Sequence, residues 1–130
     1  MPPVTFSPEQ HQAIQALARR HGWCLVILFG STAREGAGRD IDLAVLPKCV
    51  PDFMTQARWL RQLEEILPGP VDLLVLHDGT GPLIRYHVFR DGLCLHEEEP
   101  GRFDREQDRA FFLYADSVQF QKHAEEPLYP

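Results

Sequence analysis

Two aspartates one residue apart, Asp40 and Asp42, open the apolar run Asp-Ile-Asp-Leu-Ala-Val-Leu, which ends at Leu46. Successive side chains of a strand point to opposite faces, so we expect both carboxylates on the same side of a strand. Like charges at this distance repel, and a cation between them relieves the repulsion. Carboxylate oxygens, completed by phosphate oxygens, are ligands that suit magnesium. The pair therefore predicts a magnesium site.

A second group with chemical potential is Gly30-Ser31, which ends the apolar run over residues 25–29. A strand that breaks at glycine into a short helix, here expected to begin at Ser31, offers free backbone N–H groups and a positive helix end. Both favour a phosphate group. Arg34 would lie one turn into that helix and could reach a γ-phosphate, although a plain surface arginine is the alternative. Together with the aspartate pair, this predicts a magnesium–nucleotide site.

Asp72 is a third carboxylate, at the start of the otherwise apolar segment 71–76. A charge there is costly unless it is used. If Asp72 joins Asp40 and Asp42 around metal, the second and third strands must be parallel and joined by a crossover helix. Gly30 follows a strand end, so the first strand should be antiparallel to the second. These conditions predict a mixed sheet with helices packed on it.

The segments Phe29-Gly-Ser-Thr-Ala-Arg34 and Asp40-Ile-Asp-Leu-Ala-Val45 resemble the polymerase-β nucleotidyltransferase superfamily. The resemblance is closest to the minimal nucleotidyltransferases of prokaryotes, and with residues 71–93 it covers roughly residues 10–120. It implies an α/β nucleotidyltransferase fold, with a mixed β-sheet of about four strands flanked by helices. Eight residues separate Ser31 from Asp40, fewer than is usual in the family.

The resemblance also implies an activity, which is metal-dependent transfer of AMP from ATP to a hydroxyl group. Two magnesium ions would be held by the three carboxylates Asp40, Asp42 and Asp72. Asp72 would in addition accept the proton of the attacking hydroxyl. Gly30 and Ser31 would bind the nucleotide, and Arg34 would assist them.

The acceptor is expected on another protein, because a chain of 130 residues has no obvious acceptor-binding domain. Minimal nucleotidyltransferases are typically paired with a HEPN-family protein, often a toxic RNase, and adenylylate one of its tyrosines as antitoxins. The resemblance implies the same role in a toxin–antitoxin system here. Two alternatives are transfer to a small molecule such as an aminoglycoside, and a non-catalytic antitoxin that neutralises its partner by contact alone.

Length and composition predict one domain and a cytoplasmic protein. The resemblance implies that residues 1–130 form a single nucleotidyltransferase domain. The net charge of −6 argues against binding to duplex nucleic acid, because phosphate contacts need a basic surface. No apolar run approaches the ~20 residues of a membrane helix, and the N-terminus lacks the features of a signal peptide. The three cysteines match no zinc spacing and indicate reduced thiols.

Local patterns predict the secondary structure. Helices are expected at residues 8–21, 53–67, 82–90 and 103–123, and strands at residues 23–29, 39–46, 71–76 and 93–96. A capping box of Ser7 and Gln10, with Pro8 at the first helical position, begins the first helix. The predicted core residues of that helix are Ile14, Leu17 and Ala18, and those of the second are Phe53, Ala57, Leu60, Leu63 and Leu67.

The long C-terminal helix carries apolar residues on more than one face. Its predicted core stripe is Phe111, Tyr114, Ala115 and Val118. Phe112, Leu113 and Phe120 lie off that stripe. Such a second apolar face often packs against a partner, so these residues predict a helical protein partner or self-association, with a wider core as the alternative.

Overall fold

The computed structural model of the protein describes residues 6–30 and 40–125, with side chains described up to residue 120. Within these ranges the chain forms four helices and four strands. The helices are α1 (Pro8–His21), α2 (Phe53–Ile66), α3 (Pro82–Asp91) and α4 (Arg102–Glu125). The strands are β1 (Leu25–Phe29), β2 (Ile41–Leu46), β3 (Val71–Val75) and β4 (Leu93–Glu97). Each corresponds to a predicted element, so the expected α/β fold is confirmed.

The four described strands form one mixed sheet in the order β3-β2-β1-β4. Strands β2 and β3 are parallel, and α2 connects them as the predicted crossover helix. Strand β1 is antiparallel to both β2 and β4. The arrangement confirms the strand directions that were expected from the three aspartates.

The first helix begins and ends as its sequence predicts. Ser7 is the N-cap, and its side chain accepts a hydrogen bond of 3.1 Å from the backbone N–H of Gln10. The backbone N–H of Ser7 in turn donates a hydrogen bond of 2.8 Å to the Gln10 side chain, which completes the capping box. Gly22 closes the helix in the left-handed conformation, with φ of 70°.

Both faces of the sheet are covered by helices. One face carries Val26, Leu43 and Val45 and packs with residues of α1 and α2. The other face carries Ile27 and Ala44 and packs with residues of α3 and α4. Because β1 and β2 lie in the middle of this sandwich, they contain nearly continuous apolar runs.

The buried side of α2 differs from the predicted stripe. Leu63 and Leu67 are buried as expected, but Phe53 is 81% exposed. The core instead receives Trp59, whose ring packs edge-on against Trp23 with centroids 5.1 Å apart. The stripe prediction was therefore wrong for Phe53 and Ala57, which are both exposed, and the first buried residue of α2 is Trp59.

The predicted core stripe of α4 was wrong for three of its residues, because Phe111, Ala115 and Val118 are exposed. Ala110 is the buried residue, and Tyr114 stacks on Tyr86 of α3 with ring centroids 4.1 Å apart. The side of α4 that meets α3 and the sheet carries Phe103, Gln107, Ala110 and Tyr114 at helical spacing. The predicted stripe is rotated away from this side and shares only Tyr114 with it.

No helix in the described ranges combines the length and the apolar character that crossing a membrane would require.

Candidate functional site

Asp42 and Asp72 are neighbours across two parallel strands. They are partners in the β2–β3 register, so their side chains leave the sheet on the same face. This is the face of Ala44 and Leu74, which α3 and α4 cover further along the strands. At the beginning of the strands the carboxylates remain accessible, since Asp42 is half-buried and Asp72 is exposed. The structure thus brings together two carboxylates that are 30 residues apart in sequence.

Asp40 lies just before β2 and is exposed. Its negative charge acts on Asp42 and affects the pKa of that residue. Burial raises the pKa of Asp42 above its usual range, and the charges of Asp72 and Asp40 raise it further. A side-chain hydrogen bond between Asp42 and Asp72 acts in the same direction. The three predicted carboxylates therefore form one electrostatic group.

The end of β1 lies next to Asp42, on the side opposite to β3. In the antiparallel register Phe29 pairs with Asp42, and Gly30 follows directly. The backbone of Gly30 has φ of 76°, in the left-handed region that glycine adopts most readily. A Cβ atom at this position would lie 3.0 Å from Cγ of Asp42 and closer still to Oδ2. Glycine is therefore required both for the backbone conformation and for the space next to the carboxylate.

Ser31 and Arg34, together with the short helix expected at Ser31, lie outside the described residues. Their assignment to nucleotide binding stays a prediction.

The carboxylates of the site can be compared with the ligands that magnesium usually takes. In the described parts of the chain, no three side chains of the His, Cys, Asp and Glu types already surround one point as ligands. Asp42 and Asp72 supply two adjacent carboxylates, with Asp40 close enough to act on Asp42 electrostatically. Magnesium usually takes one or two carboxylates and completes its shell with water and substrate phosphates. Two converging carboxylates whose repulsion raises a pKa are consistent with this type of site.

An apolar cavity of about 260 Å³ opens beside Asp72, where α2 meets β3. Phe53, Leu60 and Leu73 form much of its wall. Sequence reasoning missed it because Phe53 was assigned to the core. The cavity lies on the face of the sheet that α2 covers, opposite to the face that carries the Asp42 and Asp72 side chains. His77 follows β3 at the other end of the strand from Asp72 and is a loop residue.

Residues 12–100 of the chain match the family described as polymerase beta, nucleotidyltransferase. No curated protein matches the sequence significantly. Solved structures resemble the fold closely. One is a toxin–antitoxin complex with AMP-PNP, for which the chain is 24% identical with a TM-score of 0.72, over 88% of this chain and 93% of that one.

Two further structures are similar. The first is the MNT antitoxin in complex with the tri-AMPylated HEPN toxin of Shewanella oneidensis, with 23% identity, a TM-score of 0.69, and coverage of 88% of this chain and 91% of that one. The second is a MntA–HpeT mutant with two Asp-to-Glu substitutions, with 22% identity, a TM-score of 0.72, and coverage of 88% and 93%. The likeness to minimal nucleotidyltransferases is thereby confirmed for the fold. Because the family match spans more than half of its length, the chain belongs to the polymerase-β nucleotidyltransferase family.

Proposed function

We propose that the protein is a magnesium-dependent nucleotidyltransferase that transfers AMP from ATP to a hydroxyl group. The observation that carries this proposal is the Asp42–Asp72 pair next to Gly30, in a chain of the nucleotidyltransferase family. Asp40, Asp42 and Asp72 would hold two magnesium ions, which would neutralise charge on the phosphates and on the attacking and leaving oxygens. The similar complex with AMP-PNP supports ATP as the nucleotide.

Each residue of the site would then have a defined task. Gly30 and Ser31 would bind phosphate through backbone N–H groups, and Arg34 would contact the γ-phosphate. The acceptor oxygen attacks the α-phosphorus, the bond from that phosphorus to the bridging oxygen breaks, and pyrophosphate leaves. Asp72 accepts the hydroxyl proton, which an accessible carboxylate at the mouth of the site can do.

The acceptor in this proposal is a tyrosine of a HEPN-type toxin, which makes the protein an antitoxin. The similar structure from Shewanella oneidensis contains an AMPylated HEPN toxin together with an MNT antitoxin. In the present chain, Phe112 and Phe120 of α4 are 71% and 74% exposed and offer an apolar surface to a helical partner.

We further propose a cytoplasmic location, where ATP is abundant. The three cysteines, Cys24, Cys49 and Cys94, are all free thiols, as is usual in a reducing compartment.

Calorimetric titration with ATP tests the proposed nucleotide site. In the presence of magnesium we expect saturable binding. In EDTA the carboxylate group should repel the triphosphate, so the affinity should fall by at least ~10-fold, the loss expected when a charged partner is removed. Equal affinity in magnesium and in EDTA would contradict a metal-assisted site.

A further inference from the structure

A second cavity lies at the opposite end of the sheet from the carboxylate pair. Its wall includes Leu46 and Leu76, which stand at the ends of β2 and β3, whereas Asp42 and Asp72 stand at their beginnings. Four residues of strand separate Asp42 from Leu46, a distance of ~13 Å at the usual rise per residue. With a volume of about 410 Å³, the cavity is large enough for a small molecule. It is a site separate from the proposed nucleotide site.

The charged residues of this cavity include more cations than carboxylates. The cations are Lys48, Arg85, Arg102 and Arg109, and the carboxylates are Asp78, Glu98 and Glu106. The whole chain, in contrast, has a net charge of −6. A wall with a positive excess in an acidic protein favours an anion over a cation.

Ion pairs within the wall occupy most of its carboxylates. Glu106 is shared between Arg102, at 3.4 Å, and Arg109, at 4.0 Å. Glu98 pairs with Lys48 at 3.4 Å. Among the described residues, no carboxylate lies within ion-pair distance of Arg85, so this guanidinium has no direct counter-ion.

Arg85 is nevertheless the most buried charge of the described chain, with 3% of the residue exposed. Its Nη2 donates a hydrogen bond to the backbone carbonyl of His77. In the described residues the only sealed side-chain polar atom without a partner is Nε1 of Trp23, so the remaining Arg85 donors are not sealed, and Arg85 lines the cavity. Burial lowers the pKa of Arg85 and the charge of Arg109 lowers it further, while the charges of Glu106 and Asp78, which lie beyond ion-pair distance, act in the opposite direction. A buried cation in this situation is costly unless an anion joins it.

We propose that this cavity binds a small phosphate-bearing anion, held by Arg85 with Arg109 and Lys48 around it. A guanidinium presents its N–H groups as a planar fork that matches two oxygens of a phosphate, and several nearby cations suit an anion with more than one charge. The competing explanation is that Arg85 only fastens the His77 loop to α3, in which case no anion is needed.

Pyrophosphate titrated calorimetrically in EDTA separates these explanations. Without a divalent ion the carboxylate group at the other end of the sheet repels anions, so binding at the proposed nucleotide site is weakened, and the Arg109→Gln variant below assigns the measured binding to the basic cavity. We expect saturable binding of pyrophosphate and at least ~10-fold weaker binding of succinate, which lacks the phosphate oxygens. Absence of pyrophosphate binding at millimolar concentration, or equal binding of succinate, would overturn the proposal.

Two arginines of α4 provide a matched pair of variants. Arg109→Gln removes a charge from the cavity wall, whereas Arg105→Gln removes the same charge from an exposed residue that pairs with Glu99 and does not line the cavity. We expect Arg109→Gln to weaken pyrophosphate binding by roughly 10-fold and Arg105→Gln to change it little. An equal effect of both variants would show a general charge effect and overturn the proposal.

Arg85→Lys keeps the charge but removes the fork, and should weaken pyrophosphate binding by at least ~10-fold while the protein stays folded. Unchanged binding in this variant would contradict the role of Arg85. If the variant does not fold, the Arg109→Gln and Arg105→Gln comparison decides alone.

Discussion

The folded structure makes ionisation of Asp42 less favourable than it is in the unfolded chain. Burial and the charges of Asp72 and Asp40 raise its pKa from the ordinary value of 3.8, so the folded state binds this proton more tightly than the unfolded state. The stabilisation from the protonated form is lost as pH rises through the folded-state pKa. At neutral pH the ionised side chain therefore lowers the stability of the protein when no cation is bound.

Asp42→Asn should consequently make the protein more stable in EDTA and less able to bind magnesium–ATP. We expect the free energy of unfolding to rise by ~0.2–1 kcal/mol, the scale of a cross-strand charge pair. Magnesium–ATP binding should weaken by about 1–3 kcal/mol, the range for losing a charged partner. Urea unfolding in EDTA and calorimetric titration measure the two effects.

Asp52→Asn is the control for this substitution. Asp52 caps α2. Hydrogen bonds with the Thr55 side chain and, at 2.7 Å, with the Thr55 backbone N–H lower its pKa, so its ionised form stabilises the fold above the unfolded-state pKa. The same chemical change should here decrease stability and leave magnesium–ATP binding unchanged. A loss of stability in Asp42→Asn would contradict the proposed repulsion among the carboxylates.

Gly30→Ala should damage the site directly. The new Cβ would require a left-handed backbone at an alanine and would collide with the Asp42 carboxylate. We expect a loss of ~1–3 kcal/mol in stability, the usual cost of a residue in a sparsely populated conformation, together with weaker magnesium–ATP binding. Gly81→Ala is the matched control, because its Cβ would meet no atom within 4 Å and its φ is −63°. Equal stability of both variants in urea would contradict a special role for Gly30.

The sequence was sufficient to choose these residues as candidates for the site, but not to predict how they are arranged. The spacing of Asp40 and Asp42, and the presence of Asp72 in an apolar strand, predicted a common site. The close approach of Gly30 to Asp42 depends on the register between β1 and β2, which apolar runs do not determine.

Helices and strands were predictable where local chemistry or chain direction decides them. The capping box begins α1 where Ser7 and Gln10 predict it, and the shared site of three aspartates implied the parallel pairing of β2 and β3. The buried faces of α2 and α4 were less predictable. A helix with apolar residues on several sides does not reveal which side meets the core.

The apolar surface of α4 should bind a partner. Because Phe112 and Phe120 are strongly exposed, the double variant Phe112→Glu with Phe120→Glu should stay folded and lose the complex with a HEPN-type partner, or its self-association. Size-exclusion chromatography with light scattering, together with circular dichroism, measures both properties.

Gln119→Glu adds a negative charge to an exposed position of the same helix without removing apolar surface. It is the control for the effect of an added negative charge on this helix and should keep the complex. An unfolded double variant would place these phenylalanines in the core and contradict their assignment to an interface.

The domain has two chemically different ends. The carboxylate group lies where β2 and β3 begin, and the basic cavity lies where they end. The first could be found in the sequence because its residues fall in two short motifs. The second could not, because Lys48, Arg85 and Arg109 come from separate elements and meet only through the packing of α3 and α4 against the sheet.

In the proposed reaction, transfer of AMP should depend on Asp72 more than nucleotide binding does. Asp40 and Asp42 would already hold the ion that accompanies the triphosphate, whereas Asp72 would act on the attacking hydroxyl during transfer. Asp72→Asn keeps the shape of the side chain and removes its charge and its basicity. If the partner is neutralised equally well by this variant, contact alone is sufficient and the protein is a binding antitoxin.

The most direct measurement is therefore the transfer of labelled AMP from ATP to the HEPN-type partner, or to the protein itself, by wild type and Asp72→Asn, with magnesium–ATP affinity measured in parallel. We predict that the substitution leaves the affinity within a few-fold and reduces transfer by at least ~100-fold, the usual effect of losing a positioned base. Unchanged transfer, or complete loss of magnesium–ATP binding, would contradict the catalytic role assigned to Asp72.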